Sequence, residues 1–295
     1  MKMHAGEITI SDRLVRRLLM EQFPDLAGLP IHSVYSTGTV NAIYRIGDSH
    51  CLRLPRMKEW STEIAKEWKL LPYLAPNLPL RIPEPVALGA PREYYPFQWA
   101  VYRWLEGVPY ADDIVHDEQE AAADLARFIV QLQQVKVLSD APKAGRRPLQ
   151  ELDVQTRKAL EASANVIDWG AAVAAWDSAL RAPAWNGTAA WIHADLLKPN
   201  LLVKNGKLSA VIDFGSSGIG DPAFDVVPAW SVFRTKGRQV FRYTFGIDGG
   251  MWSRARGYAL HQAAQIIPYY QETNPEFAAM AKRVVEEVIA DAAIG

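Results

Sequence analysis

Residues 191–200 read Trp-Ile-His-Ala-Asp-Leu-Leu-Lys-Pro-Asn, and this stretch decides the fold of the chain. It carries a histidine at 193, an aspartate at 195 and an asparagine at 200. Two strand-like runs follow it, with Asn205-Gly206 between them, a pattern that predicts a β-hairpin with a two-residue turn. Because the turn sets the register, we expect the returning strand to deliver Asp213 beside the 195–200 loop.

The side chains of Asp195, Asn200 and Asp213 are of the types that phosphoryl transfer needs. A carboxylate can accept the proton of an attacking hydroxyl, and Mg²⁺ near phosphates needs hard oxygen ligands. We therefore predict Asp195 as the catalytic base, and Asn200 and Asp213 as the metal ligands.

The order and spacing of these residues match the catalytic loop of kinases. Asp213-Phe214-Gly215 stands where kinases carry their metal-binding Asp-Phe-Gly. The whole set resembles the aminoglycoside phosphotransferase family of antibiotic kinases, and the resemblance covers nearly the entire chain. Further motifs close to the family are Ser-Thr-Gly-Thr-Val-Asn at 36–41, Trp-Leu-Glu-Gly at 104–107, Gly-Asp-Pro at 220–222 and Asp225. The resemblance implies a protein-kinase-like fold and ATP or GTP as the phosphoryl donor.

The resemblance also implies a nucleotide site in the first part of the chain. The family holds the nucleotide phosphates with a basic residue on the third strand, which a helix glutamate orients. Arg53 and Glu67 match these positions, with Glu63 as an alternative partner, and Arg53 departs from the usual lysine. We expect the turn with Thr37, Gly38 and Thr39 to cover the phosphates, because a glycine lets the backbone approach closely.

The pattern along the chain predicts an α+β fold with two lobes. A first helix is expected at residues 11–23, capped by Ser11, and a second at 62–74, where Pro72 is expected to break regularity. The strands predicted in this lobe are 31–35, 42–46, 51–54, 85–88 and 97–103. Helices are predicted at 118–134 and 150–163, and residues 142–148 are expected to form an exposed loop. We predict an N-terminal nucleotide-binding lobe over 1–105 and a C-terminal catalytic and acceptor-binding lobe over 106–295.

Several residues near the predicted loop leave alternatives open. Ala194 replaces a glycine common in the family, which is tolerated at negative φ and costly at positive φ. Lys198 is expected either to neutralise charge at the transferred phosphate or to point to solvent. His193 is expected to orient the loop by hydrogen bonding, and Asp221 and Asp225 either to brace it or to bind a cationic substrate.

Composition limits the remaining classes of protein. The 295 residues carry a net charge of −1 and include a single cysteine, Cys51. No basic run suits nucleic acid, no apolar run suits a membrane span or a signal peptide, and no intramolecular disulfide can form. We therefore expect neither nucleic acid nor membrane as a partner, and a cytoplasmic location.

The sequence thus predicts a small-molecule O-phosphotransferase that uses Mg²⁺ and ATP or GTP. The expected acceptor is a hydroxyl of an antibiotic, aminoglycoside-like or other. Two alternatives remain, a metabolite kinase of the same fold and a nucleotide-binding pseudoenzyme. A protein kinase is disfavoured because only five residues separate Gly215 from Asp221, which leaves no room for an extended activation loop.

Overall fold

The computed structural model describes residues 7–34 and 41–294. The chain divides into two compact units, and it passes between them at three points, namely Val108/Pro109, Leu208/Ser209 and Gly215/Ser216. The short segment Ser209–Gly215 therefore belongs with the first unit, although it lies late in the sequence.

The first unit is built on an antiparallel sheet of five strands in the order β1-β2-β3-β5-β4. Helix α1 precedes the sheet, and Ser11 caps it by accepting a hydrogen bond from Leu14 N at 3.3 Å. The elements of this unit are α1 (Asp12–Gln22), α2 (Pro24–Ala27), β1 (Ile31–Val34), β2 (Asn41–Ile46), β3 (His50–Pro55), α3 (Ser61–Leu74), β4 (Pro85–Gly89) and β5 (Trp99–Arg103). The predicted strands and helices are all present, with ends that differ by one or two residues.

Strand β3 is the central strand of this sheet, with β2 on one side and β5 on the other. Arg53 on β3 pairs in register with Ile43 on β2 and with Ala100 on β5. The neighbouring residues Leu52 and Leu54 are fully buried, because they point into the apolar core beneath the sheet. The backbone of Arg53 is therefore held by paired strands on both sides and by buried neighbours along β3.

Helix α3 differs from its prediction in two respects. Pro72 lies inside the helix rather than ending it. Helical spacing would place Trp68 with Ile64 and Leu71 towards the core. The observed buried face is Ile64, Glu67, Leu70, Leu71 and Leu74, and Trp68 is only half-buried. The helix thus turns a glutamate inward.

The second unit is mainly helical. Its helices are α4 (Glu118–Gln134), α5 (Leu149–Ala162), α6 (Trp169–Leu180), α7 (Pro228–Ser231), α8 (Thr235–Phe245), α9 (Gly249–Tyr270) and α10 (Pro275–Ile294). The long helix α9 packs against α5, α6 and α10 and forms the centre of the helical core. Helix α4 has the predicted bounds, and α5 begins and ends one residue earlier than predicted.

Short strands carry the segment that the sequence motifs single out. They are β6 (Val108–Pro109), β7 (Ala190–Ile192), β8 (Leu201–Lys204), β9 (Lys207–Val211) and β10 (Gly218–Gly220). Strands β7 and β10 pair antiparallel, and β8 lies between β6 and β9. The turn between β8 and β9 is Asn205-Gly206, both with positive φ (53° and 77°), as a type I′ turn requires. The predicted hairpin is therefore confirmed.

None of the helices formed by the described residues is long and apolar enough to cross a membrane.

Candidate active site

Asp195 lies in the loop between β7 and a short 3₁₀ turn at Lys198–Asn200. The side-chain amide of Asn200 donates to the carboxylate of Asp195 and to its backbone carbonyl, both at 2.8 Å. The backbone N–H of Asp195 donates to Nδ1 of His193 at 3.2 Å. Asp195 is thus held from two sides, and the predicted orienting role of His193 agrees with this contact.

Asp225 holds the same loop, although it lies 31 residues after Ala194 in the sequence. Its carboxylate accepts hydrogen bonds from the backbone N–H groups of His193 at 2.6 Å and Ala194 at 2.8 Å. The side chain is fully buried, and this burial raises the pKa of Asp225 to about 7, against the lowering effect of the two backbone donors. Of the two roles considered for Asp225, the contacts are those of a brace.

Asp221 is also engaged within the second unit. It forms an ion pair with Arg254, with Nε–Oδ2 at 2.9 Å, and it accepts from Ala223 N at 3.0 Å at the start of a 3₁₀ turn. Arg254 was not identified from the sequence, because nothing in its local pattern marks the partner of an aspartate 33 positions away.

Ala194 adopts a left-handed backbone conformation with φ of 67°. For an L-residue other than glycine this conformation costs on the order of 1–2 kcal/mol. The costly alternative considered for the Gly-to-Ala departure is therefore the one observed. The two hydrogen bonds that the backbone N–H groups of His193 and Ala194 donate to Asp225 hold the strained conformation in place.

Lys198 does not point to solvent, which was one of the two alternatives considered for it. Its ammonium group is ion-paired with Asp112 and lies 5.5 Å from the centre of the Tyr110 ring, and its side chain is only 13% exposed. Asp112 also pairs with Arg234 at 3.3 Å. Lys198 therefore ties the loop to the segment before α4, and Asp112 is a site residue that the sequence did not reveal.

The first unit assembles the second group of predicted residues around Arg53. One guanidinium nitrogen of Arg53 donates to both carboxylate oxygens of Glu67, at 2.6 and 2.7 Å, and the other donates to Asp213 at 3.0 Å. The hydroxyl of Tyr102 donates to Glu67 at 2.8 Å. Of the two glutamates considered, Glu67 is the partner, and the sequence missed Tyr102 because its role depends on the neighbouring strand.

Burial and charge oppose each other at Arg53. Its side chain is 10% exposed and that of Glu67 is fully buried. Burial alone disfavours the charged guanidinium, but the charges of Glu67 and Asp213 outweigh it and raise the pKa of Arg53. The three groups form a charged network inside the first unit in which the arginine stays protonated at every physiological pH.

Asp213 has a left-handed backbone, with φ of 69°, and a side chain that is 45% exposed. Glu63 lies nearby: burial, and then the negative charge of Asp213, raise the pKa of Glu63. Two carboxylates in one neighbourhood, one of them open to solvent, are suited to a hard divalent cation. Within residues 7–34 and 41–294 no three acidic, histidine or cysteine side chains form a complete metal cage.

The donor set nevertheless fits Mg²⁺, which usually takes one or two protein oxygens and completes its shell with phosphates and water. Asp213 offers a carboxylate in the first unit. In the second unit, Asn200 donates to Asp195 through its amide nitrogen, so its amide oxygen is the atom that could bind a metal ion. Thr37, Gly38 and Thr39, predicted to cover the phosphates, lie outside the described residues.

The fold is that of a kinase-type phosphotransferase, an enzyme that acts on hydroxyl groups. The chain belongs to the phosphotransferase enzyme family APH, whose model matches residues 33–260. A comparison with curated proteins finds no match.

Solved structures of similar fold cover almost the whole chain. The GDP and kanamycin complex of APH(2")-IIia is 19% identical, covers 94% of this chain and 98% of its own, and superposes with a TM-score of 0.71. The streptomycin-ATP-APH(2")-IIa ternary complex is 14% identical, with 96% and 97% covered and a TM-score of 0.62. The macrolide 2'-phosphotransferase MphH from Brachybacterium faecium is 20% identical, with 92% and 97% covered and a TM-score of 0.60. These likenesses agree with the predicted kinase-like fold.

Proposed function

We propose that this enzyme transfers the γ-phosphoryl group of ATP or GTP to a hydroxyl of an antibiotic, with Asp195 as the catalytic base. The observation that carries the proposal is the fork of Arg53, which joins the buried Glu67 to the predicted metal ligand Asp213 in one charged network. The similar structures contain GDP with kanamycin and ATP with streptomycin, and one is a macrolide phosphotransferase, which supports a nucleotide donor and an antibiotic acceptor.

In the proposed reaction the acceptor hydroxyl attacks the γ-phosphorus in line with the bond to the leaving nucleoside diphosphate. The new P–O bond forms as that bond breaks, and the hydroxyl proton passes to the carboxylate of Asp195. Asn200 holds this carboxylate by one oxygen, and Asp225 holds the backbone that precedes it. Positioning of this kind is the main contribution that a protein makes to phosphoryl transfer.

Asn200 and Asp213 are the residues that would hold Mg²⁺ in this proposal. When bound, Mg²⁺ supplies positive charge that neutralises the phosphate oxygens as the bond to the leaving group breaks. Arg53 supplies a second, permanent positive charge for the phosphates, and Glu67 and Tyr102 keep its side chain in one orientation.

The test is release of ADP or GDP by the purified protein, in the presence and absence of Mg²⁺, across aminoglycosides, macrolides, other antibiotics and hydroxyl-bearing metabolites. We expect a selective, Mg²⁺-dependent stimulation by an antibiotic, reduced at least about a hundredfold in Asp195→Asn because general base catalysis contributes factors of about 10²–10⁴. Asp124→Asn is the matched control, since Asp124 lies on α4 in a surface ion pair with Arg127.

Three results would contradict the proposal in different ways. Stimulation by metabolites alone would make the protein a metabolite kinase. Nucleotide binding without transfer to any acceptor would indicate a binding module. Full activity of Asp195→Asn would remove Asp195 from its assigned role.

A further inference from the structure

Lys198 opens the short turn that carries Asn200. The 3₁₀ turn Lys198–Asn200 begins at this lysine and ends at the asparagine whose amide group donates to Asp195. The ammonium group of Lys198 is ion-paired with Asp112, and only 13% of the lysine side chain is exposed. One turn of three residues therefore joins two contacts, that of Lys198 with Asp112 and that of Asn200 with Asp195.

The backbone of this turn has a second anchor, which comes from the residue two positions before Asp112. Tyr110 N donates to Lys198 O at 3.2 Å and to Leu201 O at 2.8 Å, so the turn is bonded on both sides of Asn200. The Tyr110 side chain is buried, and its ring centre lies 5.5 Å from the ammonium nitrogen of Lys198. Both anchors come from one short segment, so they hold the turn together.

Asp112 is itself fixed by a further contact. Its Oδ1 pairs with Lys198, and its Oδ2 pairs with Arg234 at 3.3 Å. Arg234 directly precedes helix α8, and its backbone N–H donates at 3.1 Å to Glu118, the first residue of α4. Glu118 also accepts from Gly237 N at 3.2 Å, and α4 and α8 pack against each other. The partners of Asp112 are therefore held by packed helices of the second unit.

We propose that Asp112 is a positioning residue for phosphoryl transfer, acting through Lys198 on the turn that orients Asn200 and Asp195. The inference rests on the proposed function, and it assigns the charge of Lys198 to the loop rather than to the transferred phosphate. Residues that orient a metal ligand from behind typically alter metal affinity or activity about 10- to 100-fold when they are changed. A displacement of about 1 Å at the reacting centre can cost about a hundredfold in rate.

The burial of Lys198 explains why the ion pair can control the turn. An ammonium group with little access to water stays beside its counter-charge, because leaving it there unpaired is unfavourable. When the charge of Asp112 is removed, the lysine turns towards water or another anion and the start of the turn moves with it. Asn200, two residues further on, then loses its fixed orientation towards Asp195.

The test is a double-mutant cycle made of Asp112→Asn, Lys198→Met and the variant with both changes. Nucleoside diphosphate release gives kcat and the acceptor KM, and calorimetric titration of ADP at a series of Mg²⁺ concentrations measures binding without turnover. We expect each single variant to lose about 10- to 100-fold in kcat, with the acceptor KM nearly unchanged. The Mg²⁺ concentration that saturates ADP binding should rise. The double variant should lose no more than the worse single variant, because both substitutions break the same pair.

Lys207→Met is the matched control. Lys207 also joins a strand to helix α4 through an ion pair, with Glu120 at 2.7 Å, but 64% of its side chain is exposed. The same loss of a lysine charge there should leave kcat, KM and the ADP titration unchanged. Thermal unfolding checks that each variant is folded at the assay temperature. Asp112→Asn keeps the size of the side chain and a hydrogen-bond acceptor, so its kcat decides if Lys198→Met does not fold.

A direct contact of Lys198 with the transferred phosphate predicts a different pattern. Asp112→Asn would then release the lysine and leave kcat unchanged or higher. The loss caused by Lys198→Met would also be equally large with and without Asp112→Asn. Either result overturns the inference.

The positioning role and the proposed function fail in distinguishable ways. Transfer to an antibiotic with the same kcat in wild type and in Asp112→Asn leaves the function standing and removes the positioning role. If no acceptor is phosphorylated, but the Mg²⁺ dependence of ADP binding shifts in Asp112→Asn and not in Lys207→Met, the proposed function fails and the positioning role stands.

Discussion

At the scale of single residues, Arg53 shows why an arginine is not a simple replacement for a lysine. One nitrogen of its guanidinium group donates to Glu67 and the other donates to Asp213. A lysine would have to contact both acids with a single ammonium nitrogen. Because Glu67 is fully buried, its charge depends on this partner.

Removing the charge of Arg53 is expected to destabilise the first unit strongly. Arg53→Met leaves Glu67 buried without a counter-charge, at a cost of about 3–5 kcal/mol in the free energy of unfolding. Arg53→Lys keeps the charge but loses the fork, so we expect it to fold and to need a higher nucleotide concentration for half-maximal rate. Denaturant unfolding and nucleotide KM measure the two effects.

Arg103→Met is the control for this experiment. Arg103 lies on the same sheet and pairs at 3.6 Å with Glu84, but both side chains are about half exposed. An exposed pair of this kind contributes up to about 1 kcal/mol. If Arg53→Met and Arg103→Met lose the same free energy of unfolding, the Arg53 network contributes no more to stability than an exposed ion pair does.

Ala194 is a second residue whose backbone makes a prediction. Ala194→Gly relieves the left-handed strain of about 1–2 kcal/mol and adds about 0.5–1 kcal/mol of unfolded-state entropy, so the net effect should be neutral to slightly stabilising. Ala190→Gly in strand β7, where φ is not positive, should instead destabilise. If both variants lose the same free energy of unfolding, the strain at Ala194 has been misjudged.

At the scale of elements, strand β10 holds the 142–148 loop by backbone hydrogen bonds. Gly220→Ala places a methyl group 2.6 Å from both Ala144 O and Ile192 Cδ1, so the loop must move away. We expect a loss of about 1–3 kcal/mol, as for other overpacked positions, and a higher KM for the acceptor because β10 pairs with β7, the strand that leads into the Asp195 loop.

Gly249→Ala serves as the comparison, since a Cβ there meets nothing within 4 Å at the start of helix α9. It should leave both the unfolding midpoint and the acceptor KM nearly unchanged. An acceptor KM that stays constant in Gly220→Ala, despite a shifted unfolding midpoint, would separate the loop from acceptor binding.

At the scale of the whole molecule, the pH dependence of stability contains an identifiable contribution from His261. Desolvation, with smaller effects from Arg146 and Arg147, lowers the pKa of His261 from 6.5 to about 4. A group whose pKa is depressed on folding contributes stability that is present above the unfolded pKa and is lost as pH falls through the folded one. We therefore expect stability to decrease from pH 6.5 to about 4 on its account, by ~1.4 kcal/mol for each unit of pKa shift.

The measurement is the free energy of unfolding of wild type and of His261→Gln across this range, with His32→Gln on the exposed part of strand β1 as control. The difference curve isolates His261, which is necessary because Asp225, with a folded pKa of about 7, has the opposite sign. Its contribution is present below about pH 4 and is lost as pH rises to 7. A flat difference between wild type and His261→Gln would contradict the assignment.

The sequence by itself determined the features that depend on neighbouring residues. The Asn205-Gly206 turn was predictable because only two φ values and the residues that tolerate them are involved. Helix α4 was predictable because its apolar periodicity is contained within the helix itself. The motif residues Asp195, Asn200 and Asp213 were found by spacing, and their chemical roles remain predictions. The family and the kinase-like fold followed from several such motifs in order, and the family match confirms them.

The tertiary structure alone decided which partners these residues have. The rotation of α3 makes Glu67, rather than Glu63, the partner of Arg53. Packing also pairs Lys198 with Asp112, 86 positions away, and places Asp225 beside the loop that contains Ala194. It also fixed residues 142–148, which looked like a connector, against strand β10 by backbone hydrogen bonds. The physical reason is that a turn or a helix is specified by local dihedral preferences, whereas an ion pair across the chain depends on how helices and strands pack, and the packing involves every residue of the core at once.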